Sequence, residues 1–250
     1  MKSDGQTDVE IDESTRWWRD NARETMGSLY AEHTVGAGAG WESIAESGRA
    51  DVARAIEHGG LRIGPDLDLV EIGCGVARLT AGLAAHYRSV RALDISAQVI
   101  AEAKARCPEP NVSFEVSSGR DILPGDRACC DVVFSAETFH HVQWPIVQRY
   151  VTDSFRILRA NGELLLHLNV ARPAAFTRLT SLVRRGLHYG GVRMWRGWPT
   201  DPGFGRQFHK PEALLAVLRS AGFVDVERRG QSDRQAWFFG RKPVNASPHV

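Results

Sequence analysis

The chain has 250 residues, of which 43% are hydrophobic and 24% are charged, a composition typical of a globular protein with a sizeable core. Its 31 basic and 30 acidic residues nearly cancel, which argues against broad electrostatic capture of nucleic acid. No apolar run approaches the roughly 20 residues that span a bilayer, so we expect no integral membrane protein and no membrane partner.

The cysteines and the N-terminus indicate the compartment. Four cysteines at irregular spacing are too few for a disulfide framework. The N-terminus is acidic, and no apolar stretch follows a basic start, so no secretory signal is visible. We therefore predict a cytoplasmic protein.

Residues 1–40 are predicted to form an acidic tail and then a helix. Ser14 is a candidate N-cap of this helix. Apolar residues follow it at helical spacing: Trp18, Ala22, Met26 and Leu29. A second helix is predicted from about Trp41 to the glycine pair that ends at Gly60, because glycine is a favoured C-terminal signal.

From residue 67 onward, short apolar strands alternate with helices. Strands are predicted at 67–73, 90–95, 112–116, 131–135, 163–170, 223–226 and 236–240. Helices are predicted at 76–86, at 97–106 with Ser96 as N-cap, from Pro145 to the Asn161-Gly162 pair, and from Pro211 to Gly222. This alternation predicts an α/β domain over residues 41–242, doubly wound around a mostly parallel seven-stranded sheet, with 243–250 as a tail.

Residues 171–208 interrupt the alternation after the fifth strand. The stretch 171–210 holds eight basic residues and one acid, and it is too long for an ordinary connection. We interpret it as a substrate cap or a mobile loop. Trp195 offers a flat apolar surface for a sugar or aromatic ring, and Arg196 a cation for a carboxylate or phosphate. The alternative is a solvated basic face with its aromatic rings packed on the core.

A glycine turn between the first predicted strand and helix is the most informative motif. Gly73 and Gly75 allow a ligand to approach the backbone, and Asp94 ends the next strand 21 residues after Gly73. This pattern suits an adenosine-containing ligand. Arg78 stands where a dinucleotide fingerprint has its third glycine, and Glu71 would repel a pyrophosphate but attract a cation. The turn thus favours a cationic ligand over a nicotinamide cofactor.

Four motifs in order resemble those of class I S-adenosylmethionine-dependent methyltransferases. They are Glu71-Ile72-Gly73-Cys74-Gly75, Leu93-Asp94-Ile95-Ser96, Asp131-Val132-Val133-Phe134-Ser135, and the stretch from Leu158 to Leu166. The resemblance runs from about Ile44 to Lys242, without the insertion. It implies the Rossmann-like fold of that family and S-adenosylmethionine as the cofactor, but it says little about the substrate.

The resemblance also implies which residues contact the cofactor. Gly73 and Gly75 would border the methionine portion, Asp94 would hold the ribose and Ile95 would pack on the adenine. The predicted set is Glu71, Gly73, Cys74, Gly75, Asp94, Ile95, Ser118, Gly119 and Ala136.

Two further features follow from the resemblance. Ser118 and Gly119 stand where the family often has an acid at the adenine amino group, and Asp121 is a substitute for that acid. The leading helix, with Trp17, Trp18 and Tyr30, would close over the cofactor as a lid. The alternative for these three aromatic residues is an ordinary place in the core.

The segment after the fourth strand holds the candidate base. Transfer of a sulfonium methyl to a hydroxyl requires removal of the hydroxyl proton, and histidine suits that role near neutral pH. We predict His141 or His140 as the general base, with Glu137 beside them. The alternative is that these histidines only pack or bond to backbone.

Three polar residues are predicted to reach the same cleft and contact the substrate. His167 and Asn169 end the fifth strand, and His209 lies where the insertion rejoins the domain. A divalent metal held by His140, His167 and His209 is an alternative, although their spacing is not diagnostic of a metal site.

We therefore predict methyl transfer to a hydroxyl of a small molecule, which could be a sugar or glycoside, a polyol or a phenolic metabolite. The alternatives are an RNA or amine N-methyltransferase and a non-catalytic module that binds the cofactor. No Asn-Pro-Pro-aromatic segment follows the fourth strand, which argues against N-methylation. A nucleic-acid partner is not expected, and a homodimer is compatible with the sequence.

Overall fold

The computed structural model describes residues 13–25, 40–170, 175–196, 198–205, 207–230 and 234–245. The predictions made for Met26, Leu29 and Tyr30 lie outside these residues. No helix in the described ranges combines the length and apolar character needed to cross a bilayer.

A seven-stranded sheet forms the centre of the domain. Its strands are β1 (Gly64–Ile72), β2 (Tyr87–Asp94), β3 (Val112–Val116), β4 (Cys130–Ala136), β5 (Leu158–Asn169), β8 (Val224–Arg229) and β9 (Gln235–Arg241), and the short strands β6 (Met194–Trp195) and β7 (Trp198–Pro199) form a separate hairpin. The order across the sheet is β3-β2-β1-β4-β5-β9-β8. β1 to β5 pair in parallel, and β9 runs antiparallel to both of its neighbours. The predicted doubly wound, mostly parallel fold is confirmed.

Seven α-helices accompany the sheet in the described part of the chain. They are α1 (Glu13–Thr25), α2 (Trp41–Arg54), α3 (Thr80–Ala84), α4 (Ala97–Arg106), α5 (Trp144–Ile157), α6 (Ala175–Tyr189) and α7 (Pro211–Ser220). The Ser96 hydroxyl accepts a bond from the Val99 amide at 3.5 Å, and Pro145 lies in the first turn of α5, as predicted. α2 runs on through one wide turn and ends at Gly60, whose φ of 69° is left-handed.

Three predictions about helix ends are wrong. Ser14 does not cap α1, since it lies inside the helix and its hydroxyl donates to the carbonyl of His141. The predicted helix 76–86 is shortened to α3, because residues 75–79 form turns in which Ala77 has a φ of 69°. α5 ends at Ile157 and not at Asn161, because Leu158 already pairs with Cys130 in the sheet.

The core has two layers because successive strand residues point to opposite faces of the sheet. On one face, Val133 and Leu164 pack with α5 and α7. On the other face, Val132 and Leu165 pack with α2, α3 and α4. Burial on both faces explains why these strands are almost continuously apolar.

The carboxyl ends of β1, β2 and β4 lie side by side at one edge of the sheet. The connections that leave this edge are residues 73–79, 95–96 and 137–143. They hold most of the predicted cofactor residues and the predicted base. The parallel pairing therefore brings distant segments of the sequence to one site.

Candidate active site

The glycine turn after β1 requires glycine at two positions. Gly73 has a φ of 77° and Gly75 a φ of 55°, a conformation that other residues adopt at a cost. A side chain on Gly73 would overlap Thr138, whereas a Cβ on Gly75 would meet nothing within 4 Å. Gly73 is thus closely packed, and Gly75 leaves open space above the turn.

Asp94 fixes this turn from the end of β2. Its Oδ2 accepts a bond from the Gly75 amide at 3.0 Å, and its Oδ1 accepts from the Ser96 amide at 3.0 Å. Burial raises the pKa of Asp94, and these amide bonds oppose that rise. A carboxylate has further lone pairs, so Asp94 can still accept from a ligand hydroxyl.

Glu71 does not lie where the sequence predicted. It is 2% exposed, and its Oε2 accepts a bond from the Thr80 hydroxyl at 2.7 Å, behind the turn. Burial raises its pKa to about 7. The prediction that Glu71 borders the ligand is therefore wrong, because β1 directs this side chain toward α3.

A cavity of about 210 Å³ lies above the glycine turn. Its walls come from α1, from the ends of β1, β2 and β4, and from α5. The residues are Thr15, Trp18, Ile72, Gly73, Cys74, Gly75, Val76, Arg78, Leu79, Asp94, Ile95, Val99, Ser117, Ala136, Glu137, Thr138, His141, Val142 and Tyr150. Eight of the predicted site residues line it, namely Gly73, Cys74, Gly75, Asp94, Ile95, Ala136, Glu137 and His141.

Two acidic side chains and one arginine line the cavity, in addition to His141. Asp94 and Glu137 face it, and Arg78 binds Asp51 at 2.5 Å. Because Arg78 is paired with an acid of α2, the carboxylates of Asp94 and Glu137 leave the cavity suited to a cation. The sequence predicted that Glu71 provides the negative charge at the ligand site. In the structure Asp94 and Glu137 provide the negative charge of the cavity.

Glu137 joins two predicted histidines. It has a φ of 59°, its Oε1 lies 3.1 Å from Nδ1 of His167, and its Oε2 lies 3.8 Å from Nε2 of His140. The His167 ring also lies 4.1 Å from the Trp237 ring. His167 therefore contacts the cavity wall from behind, through Glu137.

His140 and Asn169 also lie behind the cavity wall. His140 is 1% exposed, and its Nδ1 accepts a bond of 3.5 Å from the Asn169 amide. Neither residue lines the cavity, and neither does His167. His167 lies against Glu137 and not in the cavity wall, and contact of His167 and Asn169 with the substrate stays a prediction.

His209 holds the histidine turn together. Its Nε2 lies 3.0 Å from the carbonyl oxygens of Phe139 and Val142, which places a proton on Nε2. The ring packs 5.5 Å from that of Trp144, and burial lowers its pKa. Predicted as a substrate contact, His209 is instead buried and structural. Within the described ranges, no three His, Cys, Asp or Glu side chains are placed to hold a metal ion.

Four other predicted contacts do not line the cavity. The Ser118 hydroxyl closes its own loop on Asp121 at 2.6 Å, and Gly119 packs closely on Ile95, while the neighbouring Ser117 does line the cavity. Trp195 and Arg196 stack on each other at 5.0 Å in the hairpin. Their contact with the cofactor or the substrate therefore stays a prediction, and Ser117 is the residue of that loop that lines the cavity.

α1 lies over the cavity. The Ser14 hydroxyl donates to the carbonyl of His141 at 2.7 Å and lies 2.9 Å from that of Gly203, in the insertion. The Trp18 ring is 4.5 Å from the His141 ring, and the Trp17 ring is 5.2 Å from that of Phe204. One helix thus contacts the predicted base on one side and the insertion on the other.

The chain is similar in sequence to known methyltransferases. A family model described as a methyltransferase domain matches residues 70–166. The ubiquinone biosynthesis O-methyltransferase of Xanthomonas axonopodis pv. citri is 27% identical over 173 residues, which is 68% of this chain and 66% of that protein. The match therefore spans just under two thirds of the relative's length.

Two solved structures share the fold. Geranyl diphosphate C-methyltransferase from Streptomyces coelicolor A3(2) has a TM-score of 0.59 at 14% identity, over 91% of this chain and 96% of that one. A Haemonchus contortus phosphoethanolamine N-methyltransferase has a TM-score of 0.64 at 15% identity, over 92% of this chain and 60% of that one. These likenesses show the fold, and the matched domain lies within it.

The chain thus contains a methyltransferase domain match over residues 70–166 and has the fold of class I S-adenosylmethionine-dependent methyltransferases.

The cavity fits S-adenosylmethionine, the cofactor that the resemblance implies. The open space above Gly75 admits a ligand to the backbone, and Asp94 and Glu137 suit a sulfonium cation. Apolar walls such as Ile95 and Val99 suit an adenine ring. The residues that could hold the cofactor are those lining the cavity after β1, β2 and β4.

The methyltransferase fold does not decide which atom is methylated. The three named proteins are, by their names, an O-, a C- and an N-methyltransferase. The acceptor must therefore be inferred chiefly from the side chains of this chain.

Sequence reasoning missed several cavity residues. Thr15, Thr138, Val142 and Tyr150 line the cavity, but none was predicted to do so. Thr138 lies within the predicted catalytic segment, so its position in the sequence already indicated that it could be near the site. Tyr150 lies within the helix predicted from Pro145, and helical spacing does not separate a residue of the core from one that lines a cavity.

Proposed function

We propose that this methyltransferase transfers a methyl group from S-adenosylmethionine to a hydroxyl of a small molecule, with His141 as the general base. One observation carries the proposal. His141 is the histidine that lines the same cavity as the glycine turn and Asp94 in the described residues. His140, the other predicted base, is buried outside it.

The proton balance assigns the role of His141. When bound, S-adenosylmethionine would supply a methyl group on a cationic sulfur. After transfer that sulfur would be a neutral thioether, the leaving group. The acceptor oxygen forms the new bond to carbon and must lose its proton, which a ring nitrogen of His141 takes up. Glu137 lines the same cavity, and contact with His167 restrains its carboxylate near the reacting atoms.

The walls of the cavity favour a phenolic acceptor over a sugar or a polyol. Leu79, Val142 and Tyr150 offer apolar surface, which would leave most sugar hydroxyls without partners. An aromatic ring with one reacting hydroxyl has no such penalty. The similarity to a ubiquinone biosynthesis O-methyltransferase supports the same choice of oxygen.

α1 is proposed to act as a lid. The cavity of about 210 Å³ is smaller than the roughly 300 Å³ at the lower limit of ordinary ligand pockets. Thr15 and Trp18 form part of its wall, so displacement of α1 would widen the cavity for the ligand. The insertion contacts α1 through Phe204 and would move with it or release it.

The experiment is a screen of phenols, catechols and sugars with labelled methyl donor, on wild type and on His141→Ala. Loss of a general base is expected to lower kcat roughly 10²- to 10⁴-fold. Affinity for S-adenosylhomocysteine, measured by calorimetry, should change little. His58→Ala is the matched control, because His58 is 61% exposed and far from the cavity in sequence.

Two outcomes would contradict the proposal. Full turnover by His141→Ala, with Glu137→Gln inactive, would assign the base to Glu137 instead. Binding of S-adenosylhomocysteine by wild type without turnover of any hydroxylated acceptor would favour transfer to another atom or a non-catalytic role.

A further inference from the structure

The apolar side of α6 faces solvent. Leu179, Leu182 and Val183 recur at the spacing of one helix face, and they are 58%, 67% and 43% exposed. Tyr189, on the same side, is 69% exposed. An amphipathic helix of a globular protein ordinarily turns this side to the core, so α6 has the reverse orientation.

The polar side of α6 faces the protein. Thr180, Arg184 and His188 also recur at helical spacing, and all three are half-buried. The Arg184 guanidinium lies 5.3 Å from the Phe204 ring and donates to the carbonyl of Pro199, and His188 Nε2 lies 3.9 Å from Asp201. These contacts fix the rotation of α6 with its apolar side outward.

The exposed apolar surface is concentrated at this place. Six of the ten exposed large hydrophobic side chains in the described residues fall within sixteen positions: Leu179, Leu182, Val183, Tyr189, Val192 and Met194. We call these six residues the α6 patch. A concentration of this kind marks a contact surface, whereas scattered exposed hydrophobic residues need no explanation.

The segment that holds the α6 patch carries charge of one sign. From Leu164 to Thr200 the sequence contains no acid and six arginines: Arg172, Arg178, Arg184, Arg185, Arg193 and Arg196. Arg185, Arg193 and Arg196 are exposed. The partner of this surface therefore combines apolar character with negative charge.

We propose that the α6 patch docks this protein on the surface of an anionic lipid bilayer, where α6 lies in the interface with its leucine side among the acyl chains. Apolar side chains flanked by arginine are the composition of helices that bind in this way. A second copy of the chain is a poorer occupant, because a twofold contact through one face would bring Arg185 and Arg193 against their own copies. Nucleic acid offers nothing to cover Leu179 and Leu182.

The proposal revises the expectation that the protein has no membrane partner. That expectation rested on the absence of a spanning segment, and an interfacial helix needs none. It stands independently of the proposed function, although α6 contacts Phe204, which packs on the Trp17 and Trp18 rings beside the cavity.

The test is flotation of the full chain with vesicles of phosphatidylcholine alone or with phosphatidylglycerol. Wild type should float with the anionic vesicles and release in high salt, because surface charges are then screened. Leu182→Glu should lower the bound fraction roughly tenfold or more, because it places a charge among the acyl chains. Val244→Glu is the matched control, since Val244 is 69% exposed and lies outside the patch.

A second variant separates misfolding from lost docking. Arg185→Gln with Arg193→Gln keeps the apolar side chains, and each lost arginine should weaken binding to anionic vesicles about fivefold. The proposal is overturned if wild type ignores anionic vesicles, or if Leu182→Glu and Val244→Glu float like wild type. Dimers in sedimentation that Leu182→Glu alone abolishes, without flotation of wild type, would assign the patch to a second copy instead.

Discussion

Gly73 and Gly75 share a left-handed backbone but differ in their surroundings. Gly73→Ala would force a Cβ into Thr138 in addition to the strain of its φ, and we expect it to lower the free energy of unfolding by roughly 3 kcal/mol. Gly75→Ala meets open space and should lower that energy by only about 1 kcal/mol. Denaturant unfolding of the two variants measures this difference.

The same pair of variants tests the position of the cofactor. A methyl group on Gly75 projects above the turn, so Gly75→Ala should weaken S-adenosylhomocysteine binding roughly tenfold, equivalent to about 1.4 kcal/mol. Wild-type affinity in Gly75→Ala, measured by calorimetry, would place the cofactor away from this turn.

Glu71 makes the stability depend on pH. Its pKa is about 7 in the folded protein and 4.5 in a model peptide, so between these values the folded state holds a proton that the unfolded state has lost. Stability therefore falls as pH rises from 4.5 to 7, by up to about 3 kcal/mol. Glu71→Gln removes this loss while it keeps a partner for Thr80.

The measurement is the urea midpoint at pH 5 and at pH 8. The urea midpoint of Glu71→Gln should rise relative to that of wild type as pH increases. Glu57→Gln replaces an acid that is 75% exposed, so its midpoint should match that of wild type at both pH values. Parallel pH profiles for Glu71→Gln and wild type would show that Glu71 is already ionised at pH 5.

At the scale of elements, Ser14 is one of the residues that hold α1 to the domain. Ser14→Ala removes the buried hydrogen bond from Ser14 to the His141 carbonyl, which contributes about 1 to 2 kcal/mol. Trypsin cleavage at Arg16 and Arg19 of α1 should then be about fivefold faster or more, because local opening is favoured. Ser154→Ala is the control, since it removes an equally short buried bond within α5.

This prediction also bears on the lid. Bound S-adenosylhomocysteine should slow the cleavage of α1 in wild type, because Thr15 and Trp18 wall the cavity that the ligand would fill. Cleavage at the same rate in Ser14→Ala, Ser154→Ala and wild type would show that α1 docks independently of Ser14.

The elements themselves were predictable to different degrees. α4 was placed correctly at both ends, because a cap and an uninterrupted apolar period act within ten residues. The helix after the glycine turn was predicted too long, because the hydrogen bond from the Gly75 amide to Asp94 keeps residues 75–79 in turns. That bond joins positions nineteen residues apart, which a local period does not register.

At the scale of the molecule, the cavity lies between the sheet and two segments outside it. The strand ends supply Gly75, Asp94 and Glu137, and α1 supplies Trp18 from the other side. The described part of the insertion reaches α1 but does not line the cavity, and the apolar side of α6 points to solvent. The proposed catalytic and membrane-facing functions thus occupy separate surfaces that communicate through one helix.

The sequence alone was enough to predict the fold, the resemblance to methyltransferases and the cofactor. Alternating apolar strands and helices, a glycine turn and an acid after β2 are local patterns, and the sheet edge where they meet follows from parallel pairing. It also placed Gly73, Asp94 and His141 at one site, since each of them ends a strand or follows one.

Only the tertiary structure decided which side of an element each residue faces at that site. Glu71 and His209 have residue types suited to function, yet burial by α3 and by the histidine turn makes both structural. α6 is a second example, since its sequence predicts an amphipathic helix but does not indicate which side packs against the domain. The physical reason is that orientation depends on packing between residues distant in the chain, which a local pattern does not contain.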